Sequence, residues 1–109
     1  MTTLRFGQII GIKPEQIERY KSYHAAVWPE VLTTIKACNI QNYSIFRKDN
    51  VLFAYFEYTG DDFKEDMLKM SRDAKTKEWW EIVKPMQEPV TNRLHDEWWA
   101  NMEEVFHLN

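Results

Sequence analysis

Ile40-Gln41-Asn42-Tyr43-Ser44-Ile45-Phe46-Arg47 and Val51-Leu52-Phe53-Ala54-Tyr55-Phe56-Glu57-Tyr58, joined by Lys48-Asp49-Asn50, decide the fold. Both runs are rich in β-branched and aromatic residues, and the joint is short and polar, so they predict an antiparallel hairpin. Their near-continuous apolar character predicts burial on both faces, with helices on one side and another sheet on the other.

Upstream, Leu4 to Gly11 reads as a strand, with Leu4, Phe6, Gln8 and Ile10 on one face and Arg5, Gly7, Ile9 and Gly11 on the other. Its two glycines leave room for a crossing helix or a ligand. Pro14 suits a first helical turn, with Glu15 near the positive end. An apolar stripe of Ile17, Tyr20, His24, Val27, Trp28, Val31, Leu32 and Ile35 then predicts one helix from Pro14 to Cys38. Pro29 interrupts it, and a kink near a buried Val27-Trp28-Pro29 bend is the expected accommodation.

Downstream, Asp62 with Glu65 three residues later has the form of a capping box. A helix carrying Phe63, Met67 and Met70 follows, broken at Ser71-Arg72-Asp73. A second short helix, Ala74 to Val83, bears Trp79-Trp80 and stops at Lys84-Pro85. Pro85 to Glu97 reads as an irregular loop, long enough for a functional role. Met102 to Leu108 alternates and reads as a last strand. The order β-α-β-β-α-β defines an α+β fold of the ferredoxin-like βαββαβ type, a single domain over residues 1–109. The sheet face away from the helices would be a large apolar patch in a monomer, so a homodimer through that open face is expected.

Composition narrows the function. Aromatic residues make up 15% of the chain, which suits a pocket or an interface at least as well as a core. A formal net charge of −3 with interspersed signs gives no reason to expect nucleic acid. The one cysteine, Cys38, excludes an internal disulfide and reads as a buried inert thiol. No membrane-spanning run and no signal-peptide core are visible, so a cytoplasmic protein is expected.

Tyr20, His24 and Trp28 fall at i, i+4, i+8 on one helical face. An imidazole titrates near neutral pH and can move protons, but a histidine on an apolar stripe is more often a satisfied core residue. Trp79 and Trp80 diverge by about 100° around a helix, so one can pack while the other walls a pocket. Tyr43 could bring a phenol to the same cavity or simply pack across strands. Trp98-Trp99 reads as interface or loop anchoring. Gln8 and Glu57 need partners if buried. The histidine spacings match no metal motif, and no phosphate loop or activated nucleophile appears. The expected chemistry is proton transfer with no metal or cofactor.

Taken together, Tyr20-x₃-His24-x₃-Trp28-Pro29-Glu30, Asn42-Tyr43-Ser44-Ile45, Trp79-Trp80 and Glu104-Val105-Phe106-His107-Leu108 resemble the L-rhamnose mutarotase family over nearly the whole chain. The resemblance implies a dimeric α+β barrel and an isomerase that interconverts the α and β anomers of a free 6-deoxyhexose. It also implies that His24 is the proton donor and that Tyr20, Tyr43, Trp79 and Trp80 bind the sugar. The segment from Pro85 to Trp99 is longer than in the family's simplest members, so L-fucose stands as the alternative to L-rhamnose. Other readings on the same architecture are a monooxygenase or haem-handling protein using His24, and a non-catalytic dimerisation module.

Overall fold

The computed structural model describes residues 3–109. One antiparallel sheet is covered on one face by helices. Its strands are β1 (Leu4–Ile12), β2 (Ile40–Lys48), β3 (Val51–Tyr58), β4 (Gln87–Glu88) and β5 (Ala100–Met102). The helices are α1 (Ile17–His24), α2 (Pro29–Ala37), α3 (Phe63–Arg72) and α4 (Ala74–Val83). The sheet order is β2-β3-β1-β4, with β5 also on β1, so the two central strands are the first and the third. This is the split βαβ arrangement expected from the element order.

The hairpin forms as predicted and closes through Asp49-Asn50, with Asp49 in the left-handed region at φ 52°. One irregularity in it matters for the site. Between Gln41 and Ser44 the register slips by one residue against Glu57–Tyr55, and Asn42 takes φ 50°. This is a bulge. Strict alternation would put Ile40 and Tyr43 on opposite faces. With the extra residue, Ile40, Tyr43 and Ile45 all face the helices, and the Tyr43 ring lies 5.4 Å from that of Phe56. Asn42 is suited to the position, because asparagine tolerates left-handed backbone and its Nδ2 bonds Glu57 at 2.7 Å.

The core forms two clusters between sheet and helices. One gathers Ile10, Ile12, Leu52, Val31, Trp79 and Val83; the other joins Ile40, Phe56 and Tyr58 to Phe6, Phe63, Met67 and Met70. Each fully buried aliphatic side chain here contributes about 1.5–3 kcal/mol. Cys38 is buried, as expected, and burial raises its thiol pKa. A polar knot ties the second cluster down. Tyr58 Oη donates to Asp66 Oδ2 at 2.5 Å, Asn39 Nδ2 donates to the same oxygen at 2.9 Å, and Tyr58 Oη accepts from the Asp62 amide at 3.0 Å. Gly60 has no alternative here, because a Cβ would collide with Tyr58 Oη, Asn39 Nδ2 and Asp66 Oδ2.

Several expectations are corrected. The stripe from Pro14 to Cys38 is not one bent helix. A 3₁₀ turn (Pro14–Gln16) leads into α1, which ends at His24, and α2 starts afresh at Pro29. Proline forces the residue before it out of helical geometry, and Trp28 sits at φ −58°, ψ 132°. Trp28 is half-buried and Pro29 exposed, so the break is not a buried bend. The last strand is Ala100–Met102, not Met102–Leu108. In this antiparallel register Met102 stands opposite Gly7, so strand pairing stops while Phe6, Arg5 and Leu4 of β1 still lie ahead. Only the Arg5–Glu104 pair, at 2.8 Å, carries the line further, and residues 103–109 are exposed and unpaired as strand. The room left by Gly11 is taken by neither helix nor ligand but by the backbone of Glu88 in β4. The hairpin is buried on its helix side only: Phe46 and Phe53 on the outer face are 65% and 39% exposed in the single chain. No described helix is long and apolar enough to cross a membrane.

The knot generates a pH-dependent prediction. Hydrogen bonds, first from Tyr58 and then from Asn39, hold the Asp66 carboxyl below its ordinary 3.8. A depressed carboxylate stabilises the fold above its unfolded pKa and loses that contribution as pH falls through the folded value. Asp66→Asn is expected to lower the urea midpoint at pH 7, with the difference from wild type shrinking below pH 3.8. A pH series of urea unfolding curves checks both.

Candidate active site

A cleft of about 770 Å³ opens between the helix side of the sheet and the helices. Tyr20, His24, Tyr43, Trp79 and Trp80 all line it. Three features of the chain bring them together. The stop at Pro29 ends α1 at His24, one turn after Tyr20. The bulge at Asn42 turns Tyr43 inward. The position of Trp79-Trp80 late in α4 lets Trp79 bury at 5% exposure while Trp80 remains half-buried at the wall.

The Tyr20 and His24 rings stack with centroids 4.0 Å apart, and Trp79 meets His24 edge-on at 5.3 Å. Trp28 also packs on Trp79, at 5.3 Å, from behind. His24 Nδ1 lies 2.8 Å from the Tyr20 carbonyl oxygen. A carbonyl only accepts, so Nδ1 carries the proton and Nε2 of the neutral ring bears the lone pair. Among the described residues Nε2 has no protein partner and no side-chain nitrogen or oxygen is both buried and unpartnered, so Nε2 is open to solvent. Burial lowers the His24 pKa, with the bond to Tyr20 acting in the opposite sense and more weakly. The imidazole is therefore neutral at pH 7 and arranged as a proton acceptor that can return what it takes.

The phenols are neutral as well. Desolvation raises the Tyr20 pKa above its ordinary value and moves that of Tyr43 up to about 12. Both serve as hydrogen-bonding groups at neutral pH rather than as bases. Tyr20 Oη accepts from Gln87 Nε2 at 3.1 Å, and Gln87 Oε1 accepts from Trp98 Nε1 at 2.7 Å. Along the far wall, Glu97 holds the Asn101 side chain at 3.0 Å, and Asn101 Oδ1 accepts from Gln8 Nε2 at 2.9 Å. Lys84 Nζ sits 4.8 Å from the Trp80 ring centroid and 5.6 Å from that of Trp98. Among the described residues no three of His, Cys, Asp and Glu converge on a possible metal position. His95 is exposed in its loop, and His107 bonds Asn109 in the unpaired tail.

The far wall is what sequence reasoning missed. Gln87, Glu97 and Trp98 belong to the stretch read as irregular or as interface, Asn101 lies between it and the expected last strand, and all four line the cleft. The available signal was Gln87 itself, an uncharged polar residue directly after Met86, in a segment where the other polar residues are mostly charged.

The family model described as L-rhamnose mutarotase matches residues 5–108. An L-rhamnose mutarotase of Oceanobacillus iheyensis is 31% identical over 107 residues, covering 96% of this chain and 98% of that protein. One from Lactiplantibacillus plantarum is 32% identical, covering 97% and 99%. Among solved structures, an L-rhamnose mutarotase from Formosa agariphila superposes with a TM-score of 0.74 at 24% identity, over 97% of this chain and 99% of that one. The tetracenomycin F2 cyclase of Streptomyces glaucescens, at 0.68 and 18% identity over 97% of each chain, shares the fold. The chain belongs to the L-rhamnose mutarotase family.

The ring environment is testable without substrate. A proton NMR titration of His24 is expected to give a midpoint below the ordinary 6.5, because the charged form is desolvated. A midpoint above 6.5 would contradict the environment described.

Proposed function

We propose that this protein is a mutarotase that interconverts the α and β anomers of L-rhamnose, with His24 as the catalytic acid–base. The observation that carries this is the locked tautomer of His24: Nδ1–H tied to the Tyr20 carbonyl and Nε2 open beside an aromatic-walled cleft. The hemiacetal hydroxyl and the ring oxygen are both bonded to the anomeric carbon, so one imidazole reaches both. Nε2 takes the hydroxyl proton, a carbon–oxygen double bond forms, and the bond from the anomeric carbon to the ring oxygen breaks. The imidazolium then gives its proton to that oxygen. The aldehyde turns about its bond to the next carbon, and the same steps in reverse close the ring on its other face. No atom is gained or lost and no electron acceptor is required. Tyr20 donates a hydrogen bond within the cleft, while Tyr43, Trp79 and Trp80 hold the apolar C–H faces and the methyl group of a 6-deoxyhexose.

The partner is inferred to be a second copy of the chain. The outer sheet face carries Phe46, 65% exposed, beside Phe53, and a second such face would cover both. Light scattering of the purified chain is expected to give twice the mass of one chain, and Phe46→Lys to reduce it to one. A monomeric wild type contradicts the inference.

The activity is read from exchange between the anomeric proton signals of L-rhamnose, with L-fucose run alongside. Wild type is expected to accelerate exchange of L-rhamnose. His24→Ala is expected to lose about 10²-fold or more of that acceleration, the scale of general acid–base catalysis. Activity falls as acid protonates His24, below the ordinary imidazole range. Undiminished exchange by His24→Ala removes the assigned role; acceleration of L-fucose alone removes the assigned substrate.

A further inference from the structure

Behind Tyr20 lies a carboxamide with both ends committed. Gln87, in β4, is buried; its Nε2 donates to Tyr20 Oη at 3.1 Å and its Oε1 accepts from Trp98 Nε1 at 2.7 Å. An indole N–H can only donate, so Trp98 must face the oxygen end of the amide. The NH₂ end is left for Tyr20, which must accept. The hydrogen of Tyr20 is then excluded from this contact, and no acceptor among the described residues takes it.

We propose that Gln87, held in one sense by Trp98, is a positioning residue that makes Tyr20 a hydrogen-bond donor to the ring oxygen of the sugar. The proposal rests on the mutarotase reading above. In the closed ring that oxygen has lone pairs and no hydrogen, so it can use only a donor. As the ring opens, negative charge develops on it, and a fixed donor there stabilises the transition state more than the bound sugar. With the amide turned over, its oxygen would take the Tyr20 hydrogen, and the phenol would offer the sugar only lone pairs. The donor-only character of Trp98 forbids that arrangement. The three groups come from α1, from β4 and from the loop before β5. The segment between Pro85 and Trp99 thus acts on the chemistry without contributing a catalytic group of its own.

The test measures kcat and KM for anomer exchange in Gln87→Glu, Gln87→Leu and Trp98→Phe, each alone and combined with Tyr20→Phe. Gln87→Glu replaces the donor end with an acceptor and is expected to lower kcat about tenfold or more, with KM changed by less than about twofold. Trp98→Phe frees the amide to turn and is expected to lower kcat several-fold. In the Tyr20→Phe background there is no hydroxyl to orient, so neither substitution is expected to lower kcat further by more than about twofold. Wild-type kcat in Gln87→Glu overturns the proposal, as do losses that multiply undiminished in the Tyr20→Phe background, the mark of a purely structural role. A readout without sugar runs in parallel: the Trp98 indole N–H signal in ¹⁵N–¹H spectra is expected to shift upfield in Gln87→Leu and hold its position in Tyr20→Phe. An indole signal unmoved by Gln87→Leu overturns the relay. A wild type that moves no sugar, with the indole response intact, overturns the mutarotase reading and the donor role with it. If Gln87→Leu fails to fold, Gln87→Glu supplies the indole measurement.

Discussion

Pro29 breaks the helical stripe that runs through Tyr20 and His24 instead of merely bending it, and the site depends on that break. Without an N–H, and with the preceding residue driven to extended backbone, Pro29 ends one helix and starts the next. Helix α1 therefore stops at His24, one turn beyond Tyr20, so the two rings stack at a helix end and reach the cleft. Helix α2 begins five residues after His24 and brings Val31 and Ile35 to the same cavity from a second direction. A single continuous helix would have carried the stripe straight across the sheet and left no such opening.

Around that break the protein arranges uncharged polar groups in apolar walls. Burial disfavours the His24 cation, and the phenols of Tyr20 and Tyr43, protonated at neutral pH in any case, are shifted further from ionisation by desolvation. Two of the polar groups, His24 and Gln87, have their direction set by a partner with one possible polarity. The Tyr20 carbonyl can only accept, so it fixes the His24 tautomer. The Trp98 indole can only donate, so it fixes Gln87. In a low-dielectric cleft such fixed dipoles act at little reorganisation cost when charge develops. Glu97 and Asp96 at the rim and Lys84 over Trp80 place the full charges at the periphery.

The architecture was largely legible because it depends on local signals. The polar joint between two β-rich runs gave the hairpin, Asp62 does cap α3 by accepting from the Glu65 amide, and Lys84-Pro85 does end α4. The five aromatic and imidazole residues expected at one site do line one cleft. Other features were hidden for physical reasons. The bulge at Asn42 rests on one left-handed residue in a strand that otherwise alternates, and alternation alone misplaces Tyr43. Strand β5 stops at Met102 although β1 runs on to Leu4, and nothing in the alternation of Met102–Leu108 marks that stop. Gln87 and Trp98 are eleven positions apart, and only folding sets their bond. The spacing of Tyr20, His24 and Trp28 also could not separate a core histidine from a reactive one. The open Nε2 favours the reactive reading, and membership of the mutarotase family separates it from the monooxygenase reading.

On the proposed function, a 6-deoxyhexose in this cleft brings its anomeric centre to the open nitrogen of His24. A crystal structure with L-rhamnose bound tests it most directly. His24 Nε2 is expected within hydrogen-bond distance of the anomeric hydroxyl, the ring oxygen facing Tyr20 Oη, and the pyranose between Tyr43 and the Trp79-Trp80 wall. A sugar seated outside this cleft, or one whose anomeric carbon lies away from His24, would contradict it.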